Sequence, residues 1–536
     1  MRAICVCLSL GCAFLLGGCG SDVAPPPPGA SAVSDWASPP DLPASPATAE
    51  APAALPVELP YNTEEYARIV EAGFQSPLKA PLSTFSIDVD TASYSNVRRM
   101  LLNHQSPPAG AVRIEELINY FPYDYPLPDD GRPFAVNSEV ATCPWAPEHR
   151  LLRIGIQGKV IEAEERPPCN LVFLIDTSGS MAAEEKLPLV QRALSELVSE
   201  LDERDRISVV TYASGSGVAL APTAANRKHE IISAIEHLSA QGATNGSAGI
   251  ETAYAQAARN FDPQGINRVI ICTDGDFNVG NSSADELVRL IESKRDAGIA
   301  LSVLGFGMGN YKDDRMEQLA DHGNGNYAYI DTFAEARKVL ITQLTGTLMT
   351  IAKDVKIQVE FNPSLVGAYR LVGYENRRLA AEDFLDDRKD AGDIGAGHSV
   401  TALYEIIPVG QAVEAAGAVP PLRYQNESQL SADAESSELL TLRLRYKNPQ
   451  NEEASSIEFR GYDLGLDFTS ASGEFHFIAA VAAFGLHLRN SEFEGKTNWH
   501  DIRQWAEMGL GEDREGYRHE FLQLIQLAQS QRQRDS

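Results

Sequence analysis

Residues 170–180 read NLVFLIDTSGS, an apolar run that ends on Asp176 and passes straight into Thr177-Ser178-Gly179-Ser180. A run that is apolar on both faces is a strand buried on both faces, which requires a sheet covered on each side. Similar runs follow in RISVVTYA, RVIICTDG, ALSVLGFG and NYAYID, separated by helical patterns. Strands alternating with helices predict a parallel sheet with crossover helices. The first crossover helix has Pro188 near its start and Val190, Leu194, Leu197, Val198 and Leu201 at helical spacing. Another is announced by Ser283-x-x-Glu286, carries Leu287, Val288 and Ile291 on one face, and stops near Gly298. The expectation is an α/β domain over residues 170–350, a doubly wound, mostly parallel, Rossmann-like sheet.

Open α/β sheets place their ligands at the carboxyl ends of the strands. There the sequence delivers Asp176, Ser178 and Ser180 in a DxSxS pattern, Asp274 after RVIICT, and Thr244 in the loop QGATNGSAG. Two carboxylates and three hydroxyls are hard oxygen donors. They suit Mg²⁺ or Mn²⁺, with Ca²⁺ also open, and not the softer metals that call for His and Cys.

This set resembles the metal-ion-dependent adhesion site of the von Willebrand factor A domain, formed in that family by DxSxS, a distant Thr and a distant Asp. The resemblance implies that Asp176, Ser178, Ser180, Thr244 and Asp274 hold the ion, the hydroxyls directly and the carboxylates directly or through water. It extends beyond the domain. APLSTFSIDVDTASYSNVRR and RIEELINYFPYDYP before it, and KDAGDIGAGHSVTALYEI after it, are similar to segments of bacterial von Willebrand factor A lipoproteins. That group is often labelled as relatives of calcium-activated chloride channels, but no spanning helix is expected in the mature chain, so channel activity is not. The implied function is a binding module in which Mg²⁺ docks an acidic side chain, Asp or Glu, of a partner envelope protein. A metal-dependent hydrolase is one alternative and a purely structural envelope role another. Hydrolysis also needs a base to activate water, and no spare Glu or His is tied by motif to these loops, so no catalytic residue is assigned.

The first residues, MRAICVCLSLGCAFLLGGC, carry one cation at Arg2, then an apolar run without acids, then small residues: a secretory signal over 1–18. Leu16-Gly17-Gly18-Cys19 is similar to the bacterial lipobox, in which the cysteine after the cut is acylated. Cys12 is a weaker candidate, because cutting there would leave AFLLGG exposed. Gly20 stands where Asp would suggest inner-membrane retention, so the resemblance leans towards the outer membrane. Residues 19–60, rich in Pro and Ala, cannot bury a core and read as a tether.

The whole chain has 536 residues, with 45 Lys and Arg against 74 Asp and Glu and a net charge of −29. Such a field repels phosphate backbones and anionic head groups and favours divalent cations, so nucleic acid is not an expected partner and membrane attachment must come from the lipid. A small α+β unit is expected over 61–165: a helix through EEYARIVEAG, the strand STFSIDVD, helices SYSNVRRMLLNH and VRIEELINYF, then strands FAVNSEVA and HRLLRIGIQGK. Asp88-Val89-Asp90-Thr91 is read as a strand end and helix cap rather than a phosphatase nucleophile loop. Over 351–536 a strand-rich region contains DVKIQVEFNP, GAYRLVGYE, HSVTALYEIIPV and LLTLRLRYKNP, with a polar insertion after the third. It closes with helices, of which FHFIAAVAAFGLHL is apolar almost all round but too short to span a bilayer, hence buried. Once the signal and Cys19 are set aside, Cys143, Cys169 and Cys272 remain. Cys272 reads as a buried thiol. Cys143 and Cys169 bracket a strand in an oxidising compartment, where a bridge between them and two free thiols are both open.

Overall fold

The computed structural model describes residues 66–535, apart from 88–89, 130, 163–164, 244–245, 276–283, 308–312, 344–345, 347, 390, 412–429 and 450–452. The signal, Cys19, the tether, Thr244 and most of the polar insertion therefore lie outside the described residues. In chain order the strands are β1 (Leu82–Ser86), β2 (Phe134–Thr142), β3 (Arg150–Gly158), β4 (Cys169–Asp176), β5 (Arg206–Tyr212), β6 (Ser216–Ala224), β7 (Ile266–Thr273) and β8 (Ala300–Phe306). They continue as β9 (Tyr327–Ile330), β10 (Thr350–Phe361), β11 (Val366–Val372), β12 (Arg378–Leu379), β13 (Ile394–Gly395), β14 (Ser399–Pro408), β15 (Glu438–Lys447) and β16 (Ala454–Tyr462). The helices are α1 (Ala92–Leu102), α2 (Ile114–Asn119), α3 (Leu187–Glu200), α4 (Lys228–Glu236), α5 (Ser247–Arg259) and α6 (Ala284–Asp296). After these come α7 (Asp313–His322), α8 (Phe333–Arg337), α9 (Gly473–Arg489), α10 (Trp499–Met508) and α11 (Tyr517–Asp535).

The central domain is a doubly wound sheet of order β6-β5-β4-β7-β8-β9. Every pairing in it is parallel except β5 with β6. All eight residues of β4 are buried, as its unbroken apolar run requires. Leu171, Phe173 and Ile175 join a core with α3 and α4, while Val172 and Leu174 join the opposite core with α5, α6 and α7. Alternate side chains of one strand thus feed both layers of helices. α3 starts with a proline in its first turn, where the missing N–H would have no helical partner anyway.

The segments on either side of this domain do not close separate cores. β1 pairs antiparallel with β10, and β3 pairs antiparallel with β14. One sheet runs β12-β1-β10-β15-β16, with β13 on β10, and a second runs β11-β14-β3-β2. Phe85, Ile154, Ile357, Tyr404 and Leu442 pack between them, so both flanks build one β-sandwich around a shared core. The expected unit over 61–165 and the expected region over 351–536 are interleaved halves of that sandwich. Half-apolar strands such as β2 cannot bury their inner faces alone, and the complementary faces lie in the other segment.

α1 and α2 do not cover the sandwich as a separate unit either; they pack with α9, α10 and α11 in one helical core containing Leu117, Phe121, Phe477, Phe484 and Phe521. α9 is the expected buried helix. It is capped by Ser472 Oγ, which accepts from the Phe475 N–H at 3.2 Å, and it stops at Asn490 in the left-handed conformation. No described helix is long and apolar enough to cross a membrane.

Two local expectations differ from what folds. Residues 66–73 are not helical. Glu71 instead accepts from Ser491 Oγ at 2.7 Å and faces Arg489, and Gln75 exchanges backbone hydrogen bonds with Tyr369, so tertiary partners hold this segment in place of helical bonds. Thr91 of the DVDT run is the N-cap residue of α1 but makes no side-chain cap hydrogen bond, and the Asp90 carboxylate accepts from the Tyr327 N–H at 3.2 Å and pairs with Arg377 at 3.1 Å. Strands β6 and β16 lack the long apolar runs of the others. They are edge strands whose outward residues are exposed, so their apolar signal is halved.

Cys143, Cys169 and Cys272 are all unbridged and buried. Cys143 belongs to the helical core and Cys169 to a core of the central sheet, so the bridge left open in the sequence is not formed. Burial pushes the Cys143 thiol well up and Cys169 to about 12, leaving both protonated and unreactive.

Candidate metal centre

Asp176 is the last residue of β4 and Asp274 follows the last residue of β7. The two strands are parallel neighbours, with Ile175 opposite Cys272, which brings both aspartates to one carboxyl edge of the sheet. Asp176 is 0% exposed. Its Oδ1 accepts from the Ser178 N–H at 2.8 Å, and its Oδ2 has no hydrogen-bond partner among the described residues. Burial, with Asp274 adding repulsion, pushes its carboxyl up to about 6, although the contacts with Ser178 oppose the shift. The buried Tyr212 phenol is the other polar group close to this carboxylate, which has no ion pair with any described residue, an environment that suits a cation.

The hydroxyls gather on the same edge. Ser178 Oγ lies 3.0 Å from Ser180 Oγ, with Ser178 buried and Ser180 open to solvent. Thr244 is outside the described residues, but the chain leading to it is tied to the DxSxS loop: Gln241 N–H donates to Thr177 O at 2.6 Å, and Gly179 N–H to Gly242 O at 3.0 Å. Gly242 has φ +84°, and a Cβ there would lie 2.5 Å from Ser214 Oγ, so the turn that carries the loop across requires glycine. Among the described residues, no three of His, Cys, Asp and Glu cluster as metal ligands. A site of two carboxylates and several hydroxyls is of the kind the sequence pattern describes, and the oxygen donors present fit a hard divalent cation.

One participant was not anticipated. Lys186, just before α3, is 7% exposed, and its Nζ donates to Asp274 Oδ2 at 2.9 Å. Its stem lies over Gly307, where any Cβ would collide with it. An ammonium therefore already neutralises the second carboxylate while Asp176 keeps its uncompensated oxygen. Nothing in AAEEKLPL marks this lysine apart from a solvated helix start, because the contact depends on where β7 ends.

Comparisons with known proteins agree with this architecture. Residues 170–343 match the family model of the von Willebrand factor type A domain, residues 60–153 match one described as von Willebrand factor, and residues 346–531 match the C-terminal region of the uncharacterized protein YfbK. The chain is 45% identical over 474 residues to uncharacterized protein YfbK of Escherichia coli K12, covering 87% of this chain and 81% of that protein. It is 29% identical over 187 residues to uncharacterized protein sll0103 of Synechocystis, covering 35% of this chain and 43% of that one. Among solved structures, a von Willebrand factor type A protein from Catenulispora acidiphila aligns over 73% of this chain and 91% of its own, at 13% identity and a TM-score of 0.40. The central domain type points to a protein-interaction module. By its extent and identity of match, the chain belongs to the family of YfbK, bacterial proteins built around a von Willebrand factor type A domain.

Proposed function

We propose that this protein is a lipid-anchored binding module of the cell envelope, held through Cys19 and probing partners with a metal-ion-dependent adhesion site. The observation that carries this is the carboxyl edge of the central sheet, where Asp176 keeps a buried, unanswered oxygen beside Asp274, Ser178 and Ser180. Asp176, Ser178, Ser180, Thr244 and Asp274 would hold Mg²⁺, with Mn²⁺ or Ca²⁺ as substitutes. When bound, the ion would supply a positive centre for an Asp or Glu of the partner. The serine and threonine hydroxyls are neutral, so they leave that charge less quenched than a cage of carboxylates would. The rim is open at Ser180, which gives an incoming side chain access.

The test uses the full chain with Mg²⁺ titrated calorimetrically, then capture from detergent-solubilised envelopes with Mg²⁺ or with chelator. Wild type should bind the ion saturably and capture the same partners only with the ion present. Asp176→Ala and Thr244→Ala should lose both. Unchanged capture in chelator and in both variants would place partner binding on another surface and end this proposal.

A further inference from the structure

Arg268 lies near the amino end of β7, the edge of the central sheet opposite Asp274. It is 3% exposed, and its Nη1 donates to Ser302 Oγ at 2.7 Å and weakly to Asn326 Oδ1 at 3.4 Å. Its Nε is buried with no partner, and no described carboxylate lies within ion-pair reach of it. Taking a guanidinium out of water without a counter-ion is penalised by several kcal/mol unless something else answers the charge. Burial pulls its pKa down to about 10, and Asp393, the acid that opposes this, already accepts from the Asp354 N–H at 3.1 Å.

The side chain opens on a cavity of about 310 Å³ between the central sheet and the sandwich. Arg378 of β12 lines the same cavity. Its Nε also has no partner among the described residues, and the only hydrogen bond described for its side chain is a long one, 3.5 Å, from Nη2 to Leu371 O. Arg377, also on the wall, pairs with Asp90 and Asp321, each at 3.1 Å, and with Glu317 at 2.9 Å. Three arginines and three aspartates line this space, and Arg268 and Arg378 are the two arginines among them that make no ion pair with any described residue. Guanidinium forks match the oxygens of phosphate and carboxylate groups in paired, charge-assisted hydrogen bonds. A volume at the lower end of the range for ligand pockets admits a small molecule and not a folded partner.

We propose that this cavity binds a small molecule through a phosphate or carboxylate group held by Arg268 and Arg378. The site lies on the edge of the sheet away from Asp176 and does not depend on the adhesion-site proposal.

The experiment takes the full chain in EDTA at constant ionic strength and titrates inorganic phosphate and, separately, succinate, reading heat and thermal unfolding. Saturable binding of either anion is expected, and the tighter one identifies the ligand class. Arg378→Gln, at a partly exposed position, should weaken that binding at least tenfold. Arg388→Gln removes an exposed arginine paired with Asp386 and should leave it unchanged. Arg268→Gln should abolish binding, and if that variant does not fold, Arg378→Gln decides. No saturable response to either anion, equal affinity in Arg378→Gln and wild type, or binding that appears only with Mg²⁺ would each overturn the proposal.

Discussion

Replacing Arg98 with methionine should unlatch the flanking segments from the central domain. Arg98 sits on α1, is 2% exposed, and bonds groups from three parts of the chain. It donates to Asp331 after β9 through Nε at 2.8 Å and through Nη2, to Glu335 of α8 at 2.8 Å, to the Tyr120 hydroxyl at 2.8 Å and to Glu520 of α11 at 3.0 Å. Asp331 and Glu335 side chains are 3% and 1% exposed, whereas Glu520 is 36% exposed and so adds little. Glu335 keeps Lys338 nearby as a second cation. The main loss therefore falls on Asp331, a buried carboxylate left without its cation, and breaking such a pair from one side costs about 3–5 kcal/mol. That is a large part of the about 5–15 kcal/mol that holds a folded domain together. Equilibrium urea unfolding of wild type, Arg98→Met, Asp331→Asn and the double variant would measure it. The double variant should be more stable than the sum of the single losses predicts, because the amide that replaces the carboxylate has no charge to leave unanswered. The loss should also shrink at low pH. Burial already raises the Asp331 carboxyl even beside Arg98, and an acid whose folded pKa lies above its unfolded value favours the folded state at low pH and penalises it as pH rises through the folded value. A loss under about 1 kcal/mol, or strict additivity at all pH values, would refute the assignment of Arg98 as the latch.

In metal binding, Lys186→Met should raise Mg²⁺ affinity about tenfold, since a charge-assisted hydrogen bond of about 1.5 kcal/mol on Asp274 no longer competes; calorimetry giving equal or weaker affinity counts against competition. Lys338, pushed down to about 7 by burial while donating to Tyr120 O at 2.7 Å, binds fewer protons folded than unfolded from there to its ordinary value. Stability should accordingly climb as pH rises from about 7 towards 10, and Lys338→Met should flatten that climb in urea titrations; parallel profiles for the two proteins would contradict it. Gly242→Ala places a side chain at φ +84° against Ser214, so it should lower stability by about 1–2 kcal/mol and weaken Mg²⁺ binding; thermal unfolding and calorimetry read both, and a neutral effect would show that the turn tolerates a Cβ. Cys19→Ser should abolish palmitate labelling and release the chain from membranes, and labelling that persists would move the anchor elsewhere.

The candidate metal centre was legible at Asp176, Ser178, Ser180 and Asp274 because a strand buried on both faces has to be apolar throughout, so the polar residues that end it stand out and their place at the sheet edge follows. α9 was legible for a similar reason: no other described environment suits FHFIAAVAAFGLHL than a buried one. The buried cations were not. Arg98, Lys186 and Arg268 carry the charge of ordinary surface residues, and their burial depends on groups far along the chain, Arg98 finding Asp331 across 233 positions. The sandwich was hidden in the same way. The local sequence marks β1, β3, β10 and β14 as strands but says nothing of which partner offers the complementary face, and Leu82 meets Glu360 only because the central domain folds out between them as a closed unit. Periodicity is a local property that the backbone imposes on each segment by itself, whereas pairing, charge compensation and cavities come from the competition among distant surfaces to exclude water, which only the assembled chain decides.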